Sequence, residues 1–147
     1  NNQLALDYLN DFYKKWKNND LVIEKWFEMM STLNIETQGL NLIKNLLKHK
    51  DFDYKNPNKL RSVLSTFQRE NVLLFHANDS SGYKFVSEQV AIIDKNNPQA
   101  AARLILPLTR FKNYSNERTN KMKNVLKSLN KPFISNDLSE IIEKALL

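Results

Sequence analysis

None of the 147 residues is cysteine, which excludes disulfides, thiolate metal sites and a cysteine nucleophile. That composition suits a reducing compartment, and a cytoplasmic location is expected. Glycine occurs only at Gly39 and Gly82, too sparsely for a glycine-rich phosphate loop. No uncharged apolar run approaches the roughly 18 residues that would span a bilayer, so no membrane span is expected. The opening Asn1-Asn2-Gln3-Leu4 has no basic stretch followed by an apolar core. It therefore does not read as a signal peptide but as the interior of something longer. Arginine is scarce, at five of the 22 basic residues. The lysines are dispersed, and the longest cluster, Lys14, Lys15 and Lys17, falls on the polar side of an amphipathic stretch. A net charge of +6 spread in this way describes a solvated surface and not a stripe that tracks phosphates, so nucleic acid is not an expected partner.

Sustained alternation of period two is also missing, whereas apolar residues recur at helical spacing almost throughout. Ala5, Tyr8, Leu9, Phe12, Tyr13 and Trp16 make the first stripe, and Val22, Ile23, Trp26, Phe27 and Met30 the second. Asn18 and Asn19 should stop the first helix, with Asp20 capping the next and Thr37 capping a third that carries Leu40, Ile43, Leu46 and Leu47. A fourth helix starts at Asn56-Pro57, Val72 to Phe75 form a short helical turn, and a polar loop over 78–82 leads to a helix bearing Phe85, Val86, Val90 and Ile93. Asn97-Pro98 opens another, which Pro107 should kink because proline removes one intrahelical hydrogen bond. Two more helices carry Met122, Val125, Leu126 and Leu129, then Leu138, Ile141, Ile142, Ala145 and Leu146, the last capped by Ser135 or Asn136. The expected fold is all-α, with antiparallel helix pairs in a HEAT- or armadillo-like right-handed superhelix of about eight helices, residues 1–147 forming one domain. An internal echo supports a repeat. Asn56-Pro57-Asn58-Lys59-Leu60-Arg61 returns loosely as Asn97-Pro98-Gln99-Ala100-Ala101-Ala102-Arg103, and the prolines are 98 − 57 = 41 residues apart, within the roughly 40–47 of helix-pair repeats.

A catalytic centre is not legible. His49 and His76 have no Glu, Asp or His at ligand spacing on one helical face, and no His-Glu-x-x-His is present to set two imidazoles around zinc. His49 reads as a basic residue in the last turn of the third helix, complementing its dipole, and His76 as a residue that satisfies loop carbonyls. The carboxylate neighbours Glu140 and Glu143, and Asp51 and Asp53, read as solvated faces, with Glu140 paired to Lys144 at i, i+4. Arg61 and Arg103 differ, because each lies just inside a helix opened by Asn-Pro and the two could project from equivalent positions of successive repeats. An arginine in a concave wall can grip a carboxylate or peptide carbonyl through its planar fork of donors. A local structural hydrogen bond is the alternative.

The same segments resemble a known family. The Asn56–Arg61 motif comes first. Phe75-His76, Asp79, Ser81-Gly82-Tyr83 and Phe85 follow, and then Asn97-Pro98-Gln99 with Ala101, Arg103, Leu104, Pro107, Leu108 and Arg110. These are similar, in collinear order, to the C-terminal domain of bacterial aminopeptidases of the M1 family of zinc metallopeptidases (membrane alanyl aminopeptidase type). The opening Ala5 to Trp26 and the tail Leu138 to Leu147 fit the same pattern. The resemblance implies a parent enzyme that releases N-terminal amino acids from peptides with one zinc, held in an upstream domain. This chain would contribute the wall of a substrate chamber and would be inactive alone. It implies Arg61, Arg103 and Gln99 as substrate-binding residues, no catalytic or metal-binding residue here, and as partners a peptide substrate and the upstream catalytic domain. The departures are Ser80-Ser81-Gly82 where Gly-Ser-Gly is usual, and the loop near Lys131-Pro132-Phe133. An autonomous helical-repeat module that binds a peptide or protein is the alternative function, and a basic nucleic-acid binder a third. The first helices, with Trp16, Trp26 and Phe27, are expected to expose apolar surface that would otherwise face the rest of the parent.

Overall fold

The computed structural model describes residues 2–129 and 133–147, so Lys131 and Pro132 lie outside the described residues. These residues hold helices and no strand, as the periodicity requires. The chain divides into two units, Asn1–Phe75 and His76–Leu147.

In the first unit, α1 (Asn2–Trp16), α2 (Asp20–Ser31) and α3 (Leu40–Leu46) precede a longer helical run. That run consists of α4 (Pro57–Leu60), a π turn (Arg61–Ser65) and α5 (Thr66–Glu70), and the single turn α6 (Val72–Phe75) follows it. Helix α2 is the hub, packing on α1, α3, α4, α5 and the π turn. Its apolar stripe explains this: Ile23, Trp26, Phe27 and Met30 are all buried. Trp26 and Phe27 are thus core residues, against the expectation of exposure, and Trp16 alone of the three is exposed. The rings of Trp26, His49 and Phe52 surround Phe27 at 5.1, 5.6 and 5.8 Å between centroids. Tertiary burial overrides the simple reading of the first two helices as a half-open face.

Local capping differs from expectation in two places. Asn19, not Asp20, caps α2, its side chain accepting from the Val22 N–H at 3.3 Å. Thr37 caps nothing, because α3 begins only at Leu40, after Gly39 at φ 50°. That positive φ suits glycine and excludes an ordinary cap residue there. The short α6 is pinned from below by Asn71, which is buried and donates to the carbonyls of Ser31 and Leu33 at 3.1 and 2.9 Å.

The second unit holds α7 (Ser81–Asp94), α8 (Pro98–Thr109), a 3-10 turn (Phe111–Asn113), α9 (Asn116–Leu129) and α10 (Asn136–Leu146). Helix α8 packs on α7, α9 and α10, and Leu104, Ile105 and Leu108 supply its buried face. Pro107 lies inside α8, which continues two residues beyond it before tightening into the 3-10 turn. Ser135 caps α10, accepting from the Leu138 N–H. Ser135 is itself held by the buried Asp94, whose carboxylate accepts from the Ser135 N–H at 2.7 Å and from its hydroxyl at 2.5 Å. This clamp fixes where α10 starts relative to α7. Ser80, just before α7, adopts φ 64° without being glycine. A left-handed conformation costs an L-residue about 1–2 kcal/mol, so the serine stands where glycine, usual in the resembled family, would avoid that strain.

Candidate functional site

Both Asn-Pro motifs build the same local device. In each, the asparagine side chain accepts backbone N–H groups that the helix leaves unpaired, and proline follows at the first helical position. Asn56 accepts from Asn58 and Lys59, and Asn97 from Ala100. The next residues follow from this rigid start. Arg61 is exposed, and its guanidinium donates to Asn58 Oδ1 at 2.6 Å. Its carbonyl opens the π turn, receiving the N–H of Thr66 five residues on and the Thr66 hydroxyl at 3.5 Å. Such turns are over-represented at functional sites. No sequence pattern announces this one.

The Arg103 side chain is exposed and makes no hydrogen bond or ion pair among the described residues. Gln99 precedes it by four residues on α8 and therefore lies on the same face. The two line a groove of about 520 Å³ whose opposite wall is α10, with Asp137, Glu140, Ile141 and Lys144. Glu140 and Lys144 are paired at 2.5 Å, as their spacing predicted, and that lysine holds the Glu140 carboxyl below its usual range. Pro107 has no N–H, so the carbonyl of Arg103 lacks the usual donor four residues along. Counted from their caps, Arg61 is five residues in and Arg103 six (61 − 56 and 103 − 97), one residue and about 100° apart in helical register. The two arginines belong to different units.

The histidines have structural surroundings. His49 does not end a helix, since α3 stops at Leu46. It lies against Tyr13, Trp26 and Phe27, and its Nδ1 accepts from the Asp51 N–H at 3.2 Å. Burial, with the charges of Lys50 and Lys59, pushes its pKa below the ordinary 6.5, although Asp51 opposes this. Asp51 is engaged by Tyr13 and Lys50, and Asp53 accepts from the Lys55 N–H, so neither forms a catalytic pair. His76 stands 2.5 Å from the Tyr83 hydroxyl through Nδ1. Arg118 donates to the His76 carbonyl at 2.7 Å and to Tyr83 Oη at 3.1 Å, tying α9 to the start of α7. Burial and the Arg118 charge lower the His76 pKa. Arg118 is the anchor that sequence reasoning missed, because its partners are 35 and 42 residues away.

Both imidazoles are harder to protonate folded than unfolded, which sets a pH dependence. Above pH about 6.5 both are neutral in either state. As pH falls below that value, the unfolded chain takes up protons that the folded chain resists, so stability is lost as acidity rises. The melting temperature is therefore expected to fall between pH 7.5 and 5.5, and a His49→Gln/His76→Gln variant should show a flatter slope over that window. An unchanged slope in the variant would assign the pH dependence to other groups.

Among the described residues no group of three or more His, Cys, Asp or Glu could hold a metal ion. No helix there is long and apolar enough to cross a membrane. The family model described as "Domain of unknown function (DUF3458_C) ARM repeats" matches residues 1–147. Aminopeptidase N of Haemophilus influenzae is 40% identical over 139 residues, 94% of this chain and 16% of that protein. Aminopeptidase N of Escherichia coli has the same identity and coverage, and that of Caulobacter vibrioides is 33% identical. In structure the chain is similar to a crystal structure of Legionella pneumophila aminopeptidase A in complex with aspartic acid. The TM-score is 0.91 at 31% identity, covering 99% of this chain and 17% of that one. The chain thus spans about a sixth of the length of the relatives it matches.

Proposed function

Because the chain belongs to the DUF3458_C ARM-repeat family and is homologous to the C-terminal region of aminopeptidase N, we propose that it forms part of the peptide-binding wall of a zinc aminopeptidase. In this reading the parent removes N-terminal amino acids from peptides in the cytoplasm. In this reading the zinc and the bond-breaking groups belong to an upstream domain of the parent. Arg103, Gln99 and Arg61 hold the substrate at a distance from the chemistry.

The observation that carries this reading is the Arg103 guanidinium, unpaired among the described residues, beside Gln99 on the α8–α10 groove. A guanidinium left without an anion offers a carboxylate two parallel N–H donors, and Gln99 one turn away adds an amide that can donate or accept. A peptide presents such a carboxylate at its C-terminus, whereas an amino-acid anilide does not. Arg61 is held by one neutral partner, Asn58, and can exchange it for a charged one, since hydrogen bonds to an ion are the stronger class.

The test is made in the full-length parent. Arg103→Ala and Arg61→Ala are each expected to reduce kcat/KM for a dipeptide by about 10–100-fold, the loss of one to two charge-assisted hydrogen bonds. Hydrolysis of an alanyl anilide should stay near wild type. Loss of both activities together would place the arginines in the integrity of the fold, and loss of neither would remove them from substrate binding. The 147-residue chain alone is expected to cleave neither substrate.

A further inference from the structure

The two helices that wall the Arg103 groove start at the same end of the second unit. Asp94, the last residue of α7, holds Ser135 at the start of α10, and only residues 95–97 separate α7 from α8. Along the groove the two helices keep one register. Gln99 stands two residues after the Asn97 cap and Asp137 two after the Ser135 cap (99 − 97 and 137 − 135). From there each helix lines the groove at i+3, i+4 and i+7, so Ile141 is the counterpart of Arg103 one turn in. The charges on the two walls are not equivalent. Glu140 and Lys144 neutralise each other. Asp137 and Arg103 are both exposed, and neither side chain makes a hydrogen bond or ion pair among the described residues, with the other included. The groove therefore carries an open carboxylate at the helix starts and an open guanidinium one turn deeper. Four residues at about 1.5 Å each set these levels about 6 Å apart, close to the reach of the four-carbon stem of a lysine side chain.

We propose that Asp137 and Arg103 together select peptides whose C-terminal residue is basic, an inference that rests on the reading of this groove as part of a peptide-binding wall. The C-terminal carboxylate takes the two parallel N–H donors of Arg103. The cationic end of the last side chain turns back toward the helix starts and meets Asp137, with its aliphatic stem along Ile141. An acidic last residue would bring a second anion to Asp137, and like charges set against each other are selected against. Asp137 also lies in the first turn of α10, where an acid complements the helix dipole. That role would act on the helix and not on the choice between substrates, so a substrate comparison separates the two.

The comparison is made in the full-length parent with alanyl-lysine and alanyl-norleucine, since norleucine keeps the stem and lacks the ammonium. The wild type is expected to show a kcat/KM about fivefold higher for alanyl-lysine at low ionic strength, a ratio that shrinks as salt is added because the pair is exposed. Asp137→Asn should bring the ratio to about one, the loss falling on alanyl-lysine. A wild-type ratio of about one, or a higher ratio that survives in Asp137→Asn, would overturn the proposal and leave Asp137 to the helix dipole. The Arg103→Ala variant tells this failure from a failure of the wall itself. If it lowers hydrolysis of both dipeptides while the ratio does not depend on Asp137, the basic preference alone falls. If it leaves both dipeptides unchanged, the chamber-wall reading fails and the proposal falls with it.

Discussion

Phe27→Ala is expected to lower the stability of the first unit by about 3–5 kcal/mol, the upper range for deleting a buried ring. The side chain is fully buried at the centre of α2. Trp26, His49 and Phe52 meet it within 6 Å between ring centroids, and Lys59 Nζ lies 5.7 Å from its centroid. Removing the ring forfeits its transfer from water. It also opens a cavity that neighbours on three separate segments cannot close without moving the backbone. Since domains hold only about 5–15 kcal/mol in total, the loss should show as a much lower denaturant midpoint. Trp26 fluorescence reports it, because that indole touches the substituted site. Phe27→Leu should recover more than half of the loss, as it refills most of the volume. A loss below about 1 kcal/mol for the alanine variant would mean that the aromatic cluster is not the keystone of this unit.

The second large effect is expected at Asp94. Its carboxylate is buried and accepts two hydrogen bonds from Ser135, the residue that caps α10. Asp94→Ala should cost about 2–3 kcal/mol, because it leaves a backbone N–H without its charged acceptor and frees the capping serine. The consequence is local. Backbone amides of α10 should exchange faster with solvent, while the buried turns of α7 and α8 remain protected. Because α10 supplies the wall opposite Arg103 and Gln99, the same variant in the parent should raise KM for dipeptides more than for anilides. Asp94→Asn offers a single acceptor oxygen and should fall between alanine and wild type. Equal exchange of α10 in the wild type and Asp94→Ala would show that apolar packing of Leu138 and Ile142, not the clamp, docks this helix.

The arginines show where local signals succeed and where they stop. Asn56-Pro57 and Asn97-Pro98 could be read as helix starts because a cap and an N1 proline act within one turn, and both devices are present. The residues a few positions later are therefore helical by position. Their surroundings are not set so locally. Val63, Leu64 and Phe67, in and just after the π turn at Arg61, are buried where this run packs on α2, and the groove at Arg103 is set by which α10 residues come opposite. Lys59 makes the same point. It reads as a surface lysine of the motif, yet it is 4% exposed, with Asp20 at 3.8 Å and the face of Phe27 for company.

By itself, then, the sequence determined the all-helical class, the order of the helices and the starts set by Asn56 and Asn97, and it narrowed the last start to Ser135 or Asn136, of which the structure selects Ser135. It also carried the family resemblance, because those features act over three or four residues or repeat collinearly. Tertiary structure alone decided that Trp26 and Phe27 are buried, that Asn19 rather than Asp20 caps α2, and that His49 lies in an aromatic cluster where burial lowers its pKa. It likewise paired Asp94 with Ser135 and Arg118 with His76 across 41 and 42 residues. Such pairings depend on where distant segments meet, and the geometry of that meeting is set by the summed packing of the core and not by any short motif.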